Sequence, residues 1–169
     1  KGCTKSASVN IIQPAAHGLS MNTVNVSCNG MCNGTASVTA SGGTGPYTYS
    51  WNPGGQSTSS VSSLCPNTYT LTVTDGNGCT STNAITITQP APLLANAVKT
   101  NALCNGACNG TATANPSGGT PSYTYSWSAG AQTTASISGL CAGSYTVRVT
   151  DSKGCTTTQA VVVGQPNVL

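Results

Sequence analysis

The sequence predicts an all-β chain built from two tandem copies of one 76-residue unit, and three observations carry that prediction. Thr, Val, Ile and Tyr are plentiful, while Glu is absent and Lys scarce, so pleated strands are favoured over helix. Gly, Pro, Asn and Asp punctuate the chain at the spacing of about 8–12 residues that short strands and turns produce. From Cys28 to Pro90, 36 of 63 positions are identical to the residue 76 places further on, with no insertion or deletion. A 76-residue period is too long for a solenoid turn and large enough for a small independent domain.

The elements of one unit follow from alternation. Val24 and Val26 lead to Cys28, and Asn29-Gly30 and Asn33-Gly34 read as turns. Ala36, Val38 and Ala40 share a face of the next strand, and Ser41 to Pro46 is a turn. Tyr47, Tyr49 and Trp51 then stand on one face, and Asn52-Pro53-Gly54-Gly55 turns the chain again. A polar strand ends near Val61 and Leu64. Tyr69, Leu71 and Val73 alternate with Thr70, Thr72 and Thr74, and Asp75 to Gly78 turns into a last strand with Ile85 and Ile87 inward. Six or seven such strands describe an immunoglobulin-like sandwich, with Trp51 and Trp127 as core and Tyr69 and Tyr145 as its tyrosine corners. Tyr47 and Tyr123, at the ends of their strands, are the candidates for stacking on a sugar ring.

The offset also sets the boundaries. Lys1-Gly-Cys3-Thr through Gln13-Pro14 lies one full period before Asn77-Gly-Cys79-Thr through Gln89-Pro90. Residues 1–14 therefore read as the last strand of a preceding repeat, 15–90 and 91–166 as whole repeats, and 167–169 as the start of a following segment. On this reading the chain is mature or internal sequence from a longer array. A lone strand is not stable by itself, so residues 1–14 would pack on the first unit or complete another copy's sheet by strand addition.

Composition excludes several functions. Only 4% of residues are charged, against about 25% in a typical domain. Asp75 and Asp151 are the only acidic residues, which leaves no carboxylate pair for acid–base catalysis and no acidic calcium cage. Both are expected to serve their turns. A net charge of +3 from scattered cations, Lys99, Arg148 and Lys153 among them, is no nucleic-acid patch. No apolar run approaches the ~18 residues needed to cross a bilayer, so membrane insertion is not expected. His17 aligns with Leu93 in the second copy and has no motif-placed nucleophile, so no enzyme, catalytic residue or cofactor is expected. Asn25, Asn33 and Asn109 fit the glycosylation pattern, as an Asn/Ser/Thr-rich chain does by chance.

Cysteine supplies the stability argument. A unit this poor in large apolar side chains buries little surface, and covalent staples would compensate. Four Cys per unit allow three connectivities. The favoured set is Cys28–Cys79 with Cys32–Cys65, and Cys104–Cys155 with Cys108–Cys141, in preference to a four-thiolate zinc site. Cys3 is left over and is expected to be unpaired.

The series Cys28-Asn-Gly-Met-Cys32-Asn-Gly-Thr, Ser41-Gly-Gly-Thr, Pro46-Tyr-Thr-Tyr-Ser-Trp51, Leu64-Cys65, Thr68-Tyr-Thr-Leu-Thr-Val-Thr-Asp75 and Asn77-Gly-Cys79-Thr resembles the SprB-type repeat of Bacteroidetes cell-surface adhesins. The second copy shows the same series, including Leu140-Cys-Ala-Gly-Ser-Tyr145-Thr-Val-Arg-Val-Thr-Asp151. The resemblance implies long secreted, extracellular proteins of tandem repeats, some used in gliding motility, with export by a type IX system. Many repeats of that family carry only the first and last Cys, which suits the pairing above. The implied role is a structural stalk or filament segment whose partners are neighbouring repeats. The alternative is a multivalent module that grips surface glycans or another polymer by avidity.

Overall fold

The computed structural model describes residues 2–10, 15–130 and 132–168. Each unit folds into six antiparallel strands in two three-stranded sheets. In the first unit these are β1 (Gly18–Val24), β2 (Gly34–Ser41), β3 (Thr48–Asn52), β4 (Ser60–Leu64), β5 (Asn67–Thr74) and β6 (Thr80–Ile87). One sheet has the order β1-β2-β4 and the other β3-β5-β6. The second unit repeats them as β7 (Ala97–Thr100), β8 (Gly110–Ala114), β9 (Tyr123–Trp127), β10 (Ser136–Leu140), β11 (Gly143–Asp151) and β12 (Thr156–Val163). Its sheets have the orders β10-β8-β7 and β12-β11-β9. Two facing antiparallel sheets with the third and fifth strands paired across a long connection make an immunoglobulin-like sandwich.

Alternation decides which side chains face inward. Ala36 and Val38 on β2, Leu71 and Val73 on β5, and Ile85 and Ile87 on β6 close over Trp51. Trp51 and Trp127 are core as expected, and each indole N–H donates across the sandwich to a loop carbonyl, Thr58 or Thr134, at 3.0 Å. Tyr69 and Tyr145 donate their hydroxyls to the carbonyls of Cys65 and Cys141, four residues upstream, which is the corner geometry. The first strand begins at Gly18, earlier than Val24 and Val26 suggest, and Val24 is exposed while Val26 is buried.

The second unit is trimmed at one end. β2 runs to Ser41, whereas β8 stops at Ala114. Asn115 and Pro116 follow it, and proline has no N–H for the ladder. Pairing with β7 shortens accordingly and resumes only as a single bridge, Leu94 to Ser117.

Residues 2–10 are exposed and form no strand, so this stretch of the predicted terminal strand is unpaired, as an edge without a partner must be. Lys1 and Ile11 to Pro14, the rest of that prediction, lie outside the described residues.

Candidate functional site

The register gives each unit two distinct ends. Residues 15–17, the loop after β2 and the β5–β6 hairpin form the entry end, because Gly18 pairs with Ser41 and Thr74 with Thr80. Residues 25–33, Cys65 and residues 88–90 form the exit end, because Val24 pairs with Thr35 and Asn67 with Ile87. The second unit has the same ends, and its entry end follows directly on the exit end of the first.

At the entry end one carboxylate ties three segments together. Asp75 is buried and accepts N–H groups from Thr44 at 3.0 Å, Asn77 at 3.0 Å and Cys79 at 2.9 Å. His17 Nε2 lies 3.3 Å from its second oxygen. The Thr44 amide leads the interactions that hold the Asp75 pKa down at about 2; burial opposes it, and Cys79, His17 and Asn77 reinforce it. Asp151 accepts from Thr120 at 2.7 Å and from Lys153 and Cys155 at 2.9 Å. Burial pushes its pKa up, but those amides outweigh it and hold it below the ordinary value. The turn role expected for both residues is what their bonds describe, and they also anchor the loop after the second strand of each unit.

Tyr47 and Tyr123 are half-buried beside the same loops. Their rings pack against the cores, and their hydroxyls donate to the carbonyls of Gly42 and Gly118. They brace the entry loops.

The exit end is organised by amides that sequence reasoning missed. Asn25 Oδ1 accepts from Thr88 N–H at 2.9 Å, and Asn101 repeats the bond with Gly164 at 3.0 Å. Asn33 and Asn109 hold the N–H groups of Ser27 and Leu103. Asn29 donates to the Pro90 carbonyl while Gln89 accepts from Gly30, and Asn105, Pro166, Gln165 and Gly106 do the same. Their signal was present: each of these Asn and Gln residues recurs at the same place in the other copy, although most polar positions of an exposed strand do not need to. Asn33-Gly34 is not a hairpin turn, because Gly34 already starts β2. A Cβ there would lie 2.8 Å from Ile87 Cγ2 and 3.0 Å from the Leu64 carbonyl, so close packing requires the glycine.

The cysteines divide into two kinds. Cys32–Cys65 and Cys108–Cys141 are disulfides inside their units, as expected, and pin the exit loops. The outer pairs differ from expectation. Cys28 is bonded to Cys155 of the second unit, so neither Cys28–Cys79 nor Cys104–Cys155 forms. The reason is distance. Cys28 sits at the exit end beside Pro90, whereas Cys79 precedes β6 at the entry end. The eight residues of β6 separate them by roughly 27 Å at ~3.4 Å per residue. The stacking of the two units instead brings Cys28 to the entry-end hairpin of the second, with Cα atoms 5.7 Å apart. Cys3 is unpaired as expected, and so are Cys79 and Cys104; all three are exposed. A cleft lined by Cys28, Asn29, Met31, Pro92, Gly154 and Cys155 marks the junction.

Comparison with known proteins fits this geometry. The SprB repeat family matches residues 20–56 and 96–132, two segments in the same register of the repeat. The two matched segments are consistent with SprB-type repeats. Among solved structures, the first two immunoglobulin domains of DIP-gamma are 11% identical with a TM-score of 0.43, over 91% of this chain and 99% of that one. A structure on Dscam isoform specificity is 13% identical with a TM-score of 0.39, over 92% of this chain and 47% of that one. Domains 1–6 of the surface layer protein SbsC are 17% identical with a TM-score of 0.34, over 93% of this chain and 29% of that one. This chain therefore spans less than half the length of the Dscam and SbsC chains. At such scores the sandwich assignment rests on strand order and register. No curated protein matches the sequence. Among the described residues no helix is long and apolar enough to cross a membrane, and three disulfides fit an oxidising compartment.

Proposed function

We propose that this chain is a structural segment, a stalk or filament, of a long secreted bacterial cell-surface adhesin that serves surface attachment or gliding motility. Its role is mechanical rather than catalytic, its partners are neighbouring repeats, and type IX export follows from the resemblance to surface adhesins. One observation carries the reading: the chain enters each unit at one end, leaves at the other, and is bonded across the junction by Cys28–Cys155. Units joined this way extend in one direction, and the bridge limits how far the joint can open. The glycan-binding alternative has less support, because the rings of Tyr47 and Tyr123 pack against the cores instead of standing free for a sugar to stack on.

Small-angle scattering tests the shape. Two strand lengths laid end to end require a maximum dimension beyond about 55 Å. A compact particle, with the units folded side by side, would remove the stalk. A glycan array tests the rival. Binding abolished by Tyr47→Ala and Tyr123→Ala, with the fold retained by circular dichroism, would replace the stalk reading by the binding module.

A further inference from the structure

The outer faces of the sheets β3-β5-β6 and β9-β11-β12 share one pattern and differ in charge. In the first unit the outward residues stand in rows, Thr48-Thr74-Thr80 and Ser50-Thr72-Thr82, because they lie opposite one another in the ladders. The second unit repeats the rows as Thr124-Thr150-Thr156 and Ser126-Arg148-Thr158. Arg148 thus stands where the first unit has Thr72, and Lys153, in the turn between β11 and β12, stands where it has Asn77. Both cations are exposed. Arg148 and the turn are roughly 10–15 Å apart at ~3.4 Å per residue, with the first threonine row between them.

Nothing inside the molecule answers these cations. Asp75 and Asp151 are buried, and backbone N–H groups occupy their oxygens. Among the described residues the one close charge pair is His17 with Asp75, and every exposed charged side chain is Lys or Arg. Of the hydroxyls in the two rows, among the described residues, only that of Thr124 makes a hydrogen bond, to the Thr150 carbonyl at 3.4 Å. The face lies on the flank of the unit, so a repeat stacked on either end leaves it open. Lys153 is exposed with the first unit already stacked beside its turn.

The chemistry of the face selects its ligand. A nucleic-acid strand is held by aromatic platforms, and the outward positions of this sheet carry no aromatic side chain. A membrane surface calls for clusters of about 4–8 cations, whereas this face has Arg148 and Lys153, and Lys99 lies on the other sheet. Cations separated by neutral hydroxyls match a polymer whose acidic groups are separated by hydroxyls. We propose that the outer face of the β9-β11-β12 sheet is a binding site for a linear acidic polysaccharide. Arg148 takes one carboxylate or sulfate through its two-pronged guanidinium, Lys153 takes a second as a point charge, and the threonine rows meet the sugar hydroxyls between them. Both ion pairs are exposed to solvent, so a single site binds weakly. The inference goes beyond the stalk reading, since a flank site leaves both ends of the unit free for stacking.

The test uses the whole chain in affinity electrophoresis, with polygalacturonate, dextran sulfate, poly-glutamate or neutral dextran in the gel and a polymer-free gel as reference. Retardation by polygalacturonate or dextran sulfate at low salt is expected, and the stronger of the two identifies the preferred anion. Raising the ionic strength to about 0.5 M should remove it. Arg148→Thr and Lys153→Asn install the residues of the first unit and should leave melting unchanged. Each should weaken binding about threefold to fivefold, and the double variant should abolish it. Lys99→Thr removes the same charge from the other sheet and should change nothing. Four results would overturn the proposal: no retardation by either acidic polysaccharide, equal retardation by neutral dextran, equal retardation by poly-glutamate, or a loss with Lys99→Thr as large as that with Arg148→Thr.

Discussion

Asp75 and Trp51 stabilise the first unit in different ways, and the difference is measurable. The folded Asp75 carboxyl titrates near 2, below its ordinary 3.8, so the unfolded chain binds a proton more readily. Its contribution to stability is complete above the ordinary value and disappears as pH falls through about 2. Acid titration followed by circular dichroism should therefore show stability falling between about pH 4 and pH 2, and Asp75→Asn should flatten that fall in the first unit. A curve unchanged by the substitution would count against the amide cage. Trp51 acts through volume. It is 1% exposed, and Trp51→Ala should cost about 3–5 kcal/mol. Tyr47→Phe loses one hydroxyl bond and should cost only about 1 kcal/mol. The inward set was legible because alternation puts Trp51, Leu71 and Val73 on one face. Recurrence marks Asn25 and Asn29 as placed, but their partners Thr88 and Pro90 were not legible, because an Asn in a turn reads the same whether it holds its own backbone or a segment at the far end of the repeat.

Among the elements, β2 and β8 show both the reach and the limit of reading strands from sequence. Both begin with a glycine at the exit end, where β6 or β12 crosses closely. At Gly110 a Cβ would stand 2.6 Å from Val163 Cγ1 and 3.0 Å from the Leu140 carbonyl. Gly110→Ala must move packed atoms and should cost about 1–3 kcal/mol, seen as a lower melting temperature for the second unit. An unchanged melt would mean that β12 shifts freely. The Asn-Gly pair suggested a hairpin turn because turn chemistry and close packing ask for the same residue. The stop of β8 was legible in Pro116, but the early start of β1 was not. Its residues, Gly18 to Val24, gain ladder partners only through β2, and local pattern carries no trace of that ladder.

For the whole molecule, the decisive feature is the bond that sequence reasoning placed inside a unit and that lies between units. Counting residues within one repeat favoured Cys28–Cys79, since both sit in loops of the same copy. The ends of an eight-residue strand are too far apart for a disulfide, whereas the next copy brings an equivalent hairpin into contact. In the chain-entropy description, the loop of 127 residues closed by Cys28–Cys155 contributes about 5 kcal/mol and each loop of 33 about 4 kcal/mol. The mechanical consequence is larger. When the chain is pulled from its termini, tension passes through Cys28–Cys155, and everything between them is shielded even if it unfolds. Full reduction should lengthen the unfolded chain by roughly 420–460 Å, the reach of 127 residues at about 3.3–3.6 Å each. An optical-trap measurement with and without reductant reads this directly, and equal extension in both would dispose of the inter-unit bond. The two units thus resist unravelling through this cross-link, which suits sandwiches whose buried cores are small.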